Sequence, residues 1–130
     1  MNPVIYSPNK IFEDSNTNVI PIVPKLGSIA AAANSTIVSA VSGKRIAVIG
    51  GFFQSNATTN TGQIAFYSAS TGGTLLAAFG TPARDTYPPF LLPLLEGGGI
   101  YFETVTGEAL VAAASSYDQL FTIQTITYTP

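Results

Sequence analysis

The spacing of turn-forming residues constrains this chain most. From Gly27 onward, short runs rich in Val, Ile, Thr, Phe and Tyr are separated by clusters of Gly, Asn, Ser and Asp. Such runs are too short for most helices and are typical of an antiparallel sandwich or barrel. We predict about nine strands from this pattern: Ser28–Ala32, Thr36–Val41, Arg45–Phe53, Gln63–Ser68, Thr74–Phe79, Phe90–Leu95, Ile100–Glu103, Glu108–Ala113 and Gln119–Tyr128.

The last run shows the clearest alternation. Its even-numbered residues from Leu120 to Tyr128 share one face of a strand, and its odd-numbered residues from Phe121 to Thr127 share the other. The alternation fails at Ile126, which is apolar on the face that otherwise carries Thr122 and Gln124. The run is still rich in the residue types that a half-buried pleated surface prefers.

The first 26 residues differ from the rest. They contain four prolines, Pro3, Pro8, Pro21 and Pro24, which disfavour both helix and central strands. Their apolar residues are too many for a solvated tail, so we expect an extended arm that lies on its own domain or on a neighbour. The predicted fold is therefore all-β, a jelly-roll-like β-sandwich at 27–130 with an extended N-terminal arm at 1–26.

Charge is scarce in this sequence. Charged residues make up 9% of the 130 residues, against about 25% in an ordinary soluble domain. A surface so poor in charge favours assembly, because partners then cover what water-facing ions would otherwise solubilise. The net charge of −2 offers no basic field for phosphates, so we expect no nucleic-acid partner.

The absence of histidine and cysteine excludes several chemistries. Without them the chain has no Ser-His-Asp triad and no imidazole or thiolate metal site. We expect no enzymatic activity, no cofactor and no metal. No apolar run of membrane-spanning length is present, and the start of the chain lacks the blocks of a signal peptide, so we expect no membrane partner and synthesis in the cytoplasm.

Three short patterns resemble functional motifs without completing them. Lys44–Gly51 resembles the first strand of a dinucleotide-binding unit, but the following residues supply neither the third glycine nor a helix. Asp14, Asn16 and Asn18 match the start of a calcium loop, whose later ligands are missing, so a polar turn is favoured and a weak surface Ca²⁺ site is the alternative. Glu103 and Glu108 flank a turn and are more typical of solvated strand ends than of a glycosidase pair.

A long stretch without charge, from Ile46 through Ala83, includes several aromatic residues. Its surfaces are covered either within the subunit or at a subunit interface, and we favour the interface because interface cores are depleted of charge. The loop from Arg84 to Phe90 is stiffened by two prolines and is either a contact loop or an ordinary crossover. The candidate interface residues are Ile11, Phe12, Phe52, Phe53, Phe66, Tyr67, Arg84, Tyr87 and Phe90.

Segments of residues 37–130 together resemble a known class of viral proteins. These segments are Gly43–Val48, Phe66–Ser68 followed by Gly72–Leu76, Phe102–Thr104 with Gly107–Leu110, and the closing Thr127–Tyr128. The chain resembles bacteriophage capsid decoration (cement) proteins of the jelly-roll type. The resemblance implies a homo-oligomer, a trimer, that binds the major capsid protein and stabilises the head shell at the capsid surface of the virion.

A second role is compatible with the same fold. Jelly rolls occur in lectins as well as in viral shells. The alternative function is a receptor- or carbohydrate-binding head domain of a phage fibre, which glycan binding by the isolated protein would favour.

Overall fold

The structure, a computed structural model, describes residues 5–6, 12–14, 16, 18–85, 88–95 and 99–130. Within those residues the chain forms strands and no helix. The strands are β1 (Ile5–Tyr6), β2 (Phe12–Glu13), β3 (Val19–Ile20), β4 (Val23–Ile29), β5 (Asn34–Val38), β6 (Arg45–Ser55), β7 (Gly62–Ser68), β8 (Thr74–Thr81), β9 (Phe90–Leu92), β10 (Phe102–Glu103), β11 (Leu110–Ala114) and β12 (Gln119–Tyr128).

Two sheets pack face to face, and a third, small sheet belongs to the arm. The front sheet has the order β10-β6-β12-β4, with β9 also paired to β6, and the back sheet has the order β5-β11-β7-β8. The arm sheet has the order β1-β2-β3. The pairings between named strands are antiparallel.

The connectivity is nested. With β9 set aside, the first sandwich strand, β4, pairs with the last, β12, and the second, β5, pairs with β11. The third and fourth, β6 and β7, pair with β10 and β8. A long hairpin rolled up in this way gives the two four-stranded sheets of a jelly roll, which confirms the predicted all-β sandwich.

Each predicted strand overlaps an observed one, and the differences lie at the ends. β4 begins at Val23, earlier than the predicted domain start at Gly27, because residues 23–29 pair with β12 throughout. β6 continues past its paired glycines to Ser55. β9 ends at Leu92, before Pro93, which has no N–H to continue a ladder. Ala112–Ala114 form the end of β11.

An aromatic cluster forms the centre of the core between the two sheets. Phe53 lies 5.5 Å from Phe66 and 5.2 Å from Phe79, measured between ring centroids. Phe90 and Phe102 extend the cluster, at 5.3 and 6.1 Å from Phe79. Phe53 and Phe66 have no exposed surface. Their predicted position on an interface surface is therefore wrong, because alternation along β6 and β7 turns both rings into the core.

The arm packs on its own domain. Phe12 and Ile20, opposite each other in the arm sheet, are buried against the front sheet's outer face. The front-sheet residues of this second, smaller cluster are Ala47, Ile49, Ile126 and Tyr128. Ile126 is buried on the outer face of β12 because the arm covers that end of the strand. The sequence left open where the arm lies, and this contact answers it for Phe12 and Ile20.

Two glycines bend β6 at the point where the arm's cover ends. The register against β12 shifts between Gln124 and Thr125, where β6 carries one extra residue, Ile49, in a β-bulge. Gly51 has a φ of 152°, and a Cβ there would lie 2.4 Å from the carbonyl oxygen of Thr122. Because β6 continues as a strand beyond the glycines, Lys44–Gly51 does not open a dinucleotide-binding helix.

Candidate protein-binding faces

A row of side chains crosses the outer face of the front sheet. Leu26 on β4 is opposite Thr122 on β12, which is opposite Phe52 on β6, which is opposite Leu91 on β9. Leu26 is 76% exposed, Leu91 62% and Phe52 44%. Directly opposed residues in a sheet lie on the same face, so these three apolar side chains form one continuous exposed strip with Thr122.

The next row completes the surface. Gln124 is opposite Gly50, and the side chain of Leu94 lies over Gly50, since a Cβ built there would be 3.2 Å from Leu94 Cδ2. A shallow groove of about 270 Å³ runs between β12 and the loop after β9 that carries Leu94. We call this surface the bare half of the front face, formed by Leu26, Phe52, Leu91, Leu94, Thr122 and Gln124; the arm covers the other half.

The outer face of the back sheet is flatter. Its first row joins Thr36, Val111, Tyr67 and Leu75, of which Leu75 is 55% exposed. Its second row has only small side chains: Asn34, Ala113, Ala65 and Ala78. Among the described residues, neither outer face has a charged side chain in these rows.

Charged side chains lie mostly at the ends of strands. Arg45 begins β6 and Glu103 ends β10, and their side chains form an ion pair of 2.9 Å between Nη1 and Oε1. Arg84 follows β8, lies 3.4 Å from the Asp85 carboxylate, and donates to Asn56 Oδ1 at 3.0 Å. These two ion pairs thus lie at opposite ends of the sandwich.

Lys25 is the exception, since it lies within β4. It is the neighbour of Leu26 in the strand, and it is opposite buried Ile123. Alternation therefore puts Lys25 on the side of the sheet away from the bare half.

A polar network links Arg45, Glu103 and Tyr128. The Tyr128 hydroxyl donates a hydrogen bond to Glu103 Oε2, and Arg45 Nε donates to Thr106 Oγ1 at 3.0 Å. Burial and the hydrogen bond to the Glu103 carboxylate raise the pKa of Tyr128 to about 12. The network joins the end of β12 to the β10 edge.

Glu103 and Glu108 have separate partners. Glu103 binds Arg45 and Tyr128, whereas Glu108 accepts a hydrogen bond from the Ser68 hydroxyl. The Ser68 oxygen in turn accepts one from the Val105 N–H at 2.9 Å. Both carboxylates hold strand ends and loops together through protein partners, whereas the sequence interpretation expected solvated strand ends.

The Asp14 loop is a polar turn. The Asp14 carboxylate accepts hydrogen bonds from the backbone N–H groups of Asn18 and Asn16, each at 2.9 Å, and from the Asn18 side-chain amide. The backbone hydrogen bond from Asn18 is the largest cause of the lowered pKa of Asp14; desolvation opposes it, and the hydrogen bonds from the Asn18 side chain and the Asn16 N–H lower the pKa further. The carboxylate thus closes the β2–β3 turn, which is the favoured alternative.

The predicted interface residues occupy different environments. Phe52 and Tyr67 lie on the two outer faces, Arg84 lies at one end, and Phe90 is half-exposed at the margin of the aromatic cluster. Phe12 is buried between the arm and the front sheet, and Phe53 and Phe66 are in the core. Ile11 and Tyr87 lie outside the described residues. Sequence reasoning missed Leu26, Leu91 and Leu94, because only strand register shows that they adjoin Phe52.

Within the described ranges, no helix is long and apolar enough to cross a bilayer, and no group of three or more acidic residues is placed to hold a metal ion.

Comparisons with known proteins give weak likenesses. No protein-family model and no curated protein matches the chain. It is similar to a protein of Bacillus endospore appendages, which form disulfide-linked pili, at 21% identity and a TM-score of 0.45, over 85% of this chain and 89% of that one. It is also similar to a family 6 carbohydrate-binding module, at 16% identity and a TM-score of 0.34, over 98% of this chain and 81% of that one.

A third similar structure is a chain of infectious bursal disease virus, Gx strain, at 14% identity and a TM-score of 0.28, over 92% of this chain and 35% of that one. These low scores assign no family to the chain.

Proposed function

We propose that this protein is a non-enzymatic structural protein that decorates a bacteriophage head by binding the major capsid protein. One observation carries the proposal: the bare half of the front face and the two named rows on the outer face of the back sheet have no charged side chain. Arg45 and Glu103 lie instead in the arm-covered half of the front face, and Arg84 and Asp85 lie at the opposite end of the sandwich. Surfaces of this composition match the charge-depleted cores of protein interfaces. A sandwich with two such faces is suited to lie between other subunits.

We assign the contact with the capsid shell to the outer face of the back sheet, which we call the back face. That face is flat along its row of Ala65, Ala78 and Ala113, so a broad surface can approach its backbone closely. Leu75 is its most exposed large apolar side chain.

Co-sedimentation with empty shells of the same phage's major capsid protein tests the proposal. The protein is expected to pellet with shells in a saturable ratio. Leu75→Glu is expected to weaken binding at least about tenfold, because it buries a charge without a partner. Val105→Glu, which adds the same charge to an exposed loop residue, is the matched control and is expected to bind normally.

Two results would contradict the proposal. One is the absence of binding to shells at concentrations well above those of the subunits. The other is saturable binding on a glycan array by the folded protein, which would instead support a receptor- or carbohydrate-binding head domain.

A further inference from the structure

We infer that the bare half of the front face is where two copies of this chain pair face to face. The inference rests on the structural role proposed above and names a self-contact within that assembly. Its starting point is the exposed apolar strip of Leu26, Phe52 and Leu91, with Leu94 beside it.

The size of the surface suits an interface core. Four strands about 4.8 Å apart, with roughly five residues each at about 3.3 Å per residue, span roughly 300 Å². Each partner in a standard stable interface contributes about 800 Å². The area of roughly 300 Å² already includes the more polar row of Ser28, Leu120 and Gln54, so the bare half supplies the centre of the contact and the side chains around it supply the remaining area.

Charge favours a second copy as the occupant. In a two-fold contact the same surface meets itself, so any charge near the axis would face its own like charge. The rows of the bare half contain no charge, and Lys25 projects from the opposite side of its strand. The surface is therefore compatible with its own copy, and it offers nothing to select a charged partner.

The distribution of exposed apolar side chains favours front-to-front contact over front-to-back contact. The bare half presents four large apolar side chains, whereas the rows of the back face present one that is as exposed, Leu75. Only front-to-front pairing buries both apolar strips in a single contact, and burial of apolar area is the main source of affinity. Such pairing gives an even number of copies, in place of the trimer that the family resemblance implies.

The mass of the protein in solution tests the pairing directly. The expected mass is twice that of one chain, 13.5 kDa, or a higher even multiple. A mass equal to one chain at high concentration, or to three chains, would overturn the inference.

Charge variants locate the contact. Phe52→Glu and Leu26→Glu, on two different strands, are each expected to raise the dissociation constant of the pair at least about tenfold, because each places two like charges in a buried contact. Val105→Glu is expected to leave the mass unchanged. Unchanged pairing in both front-face variants, with normal circular dichroism, would overturn the inference.

A cross-linking variant keeps the test valid if a charge variant misfolds. The chain contains no cysteine, so Thr122→Cys introduces a single thiol at the centre of the row. On oxidation at low concentration we expect the Thr122→Cys variant to form a disulfide-linked pair. The Val105→Cys variant should remain largely as uncross-linked single chains. Equal cross-linking of the two variants would contradict pairing through this face.

Shell binding separates this inference from the proposed function. If the wild-type protein is paired and the Phe52→Glu variant binds shells as single copies, both the pairing and the decoration role stand. A paired wild-type protein that ignores shells would overturn the decoration role alone.

Discussion

Tyr128 combines a buried ring with a hydroxyl that donates to a carboxylate. Its ring packs in the cluster that holds the arm, while the hydroxyl binds Glu103, the partner of Arg45. Deprotonation would place a phenolate beside that carboxylate, and this repulsion, with burial, keeps the residue protonated. One side chain therefore connects the arm cluster to an ion pair.

Tyr128→Phe is expected to lower the free energy of unfolding by about 1–2 kcal/mol, since it removes a hydrogen bond to a charged acceptor. Urea titration at neutral pH measures the loss. An unchanged midpoint would show that solvent replaces the bond at no cost.

The same residue predicts a pH dependence in the alkaline range. Because the folded-state pKa of about 12 exceeds the ordinary value of 10.0, the stabilisation is fully present below pH 10 and is lost as the pH rises toward 12. Stability curves of the wild type and of Tyr128→Phe should therefore converge between these values. Parallel curves would contradict the raised pKa.

Gly51 is required by backbone geometry. A Cβ at this φ of 152° would contact the backbone of Thr122 and Ile123. Gly51→Ala is expected to cost at least about 2 kcal/mol of unfolding free energy. Gly80→Ala, on β8 with no atom within 4 Å of the added Cβ, is the matched control and should change stability by less than about 0.5 kcal/mol. Equal losses in the two variants would argue against a specific clash.

At the scale of elements, the arm decides which part of the front sheet is exposed. β2 and β3 place Phe12 and Ile20 over one half of the outer face and leave the half beyond the β6 bulge open. A short, proline-bearing segment thus divides one sheet surface into a covered, core-like part and an exposed part.

Phe12→Ala is expected to lower the free energy of unfolding by about 3 kcal/mol, because it leaves a cavity between the arm and the front sheet. Ile22→Ala, at a more exposed residue of the same segment, should cost less than about 1 kcal/mol. Thermal unfolding monitored by circular dichroism measures both. If Phe12→Ala unfolds like the wild type, the arm does not contribute to the cooperative unit.

Much at this scale could be predicted from the sequence. Alternation and turn residues located the sandwich strands, since those patterns are local. The register that places Leu26, Phe52 and Leu91 in one row depends on pairing between distant segments, which no local pattern encodes. The failed alternation at Ile126 was a real indication of a second covering layer, but only the structure identifies the arm as that layer.

At the scale of the molecule, charge and contact surface are separated. The two ion pairs lie towards opposite ends of the sandwich, and the bare half of the front face and the two named rows of the back face carry no charge. Contacts made by these faces should therefore depend on apolar burial rather than on attraction between ions.

Raising NaCl from about 0.05 to about 1 M is expected to change the dissociation constant of the pair by less than about threefold, because screening acts on charged contacts. Sedimentation equilibrium across the series measures it. Dissociation at high salt would show that end-of-sandwich charges carry the contact.

Self-association should also show no step between pH 5.5 and 8. The sequence contains no histidine, whose ordinary pKa lies in that interval. Light scattering across the interval is expected to give a constant mass, and a clear midpoint would contradict the prediction.

β4 is an edge strand of the front sheet, where it pairs with β12 on one side. Pro24 cannot donate a hydrogen bond, and Lys25 next to it is charged; both features discourage an incoming strand. Sheet extension from molecule to molecule is thus blocked at this margin. Concentrated protein should consequently not form amyloid-like fibrils through strand pairing at β4.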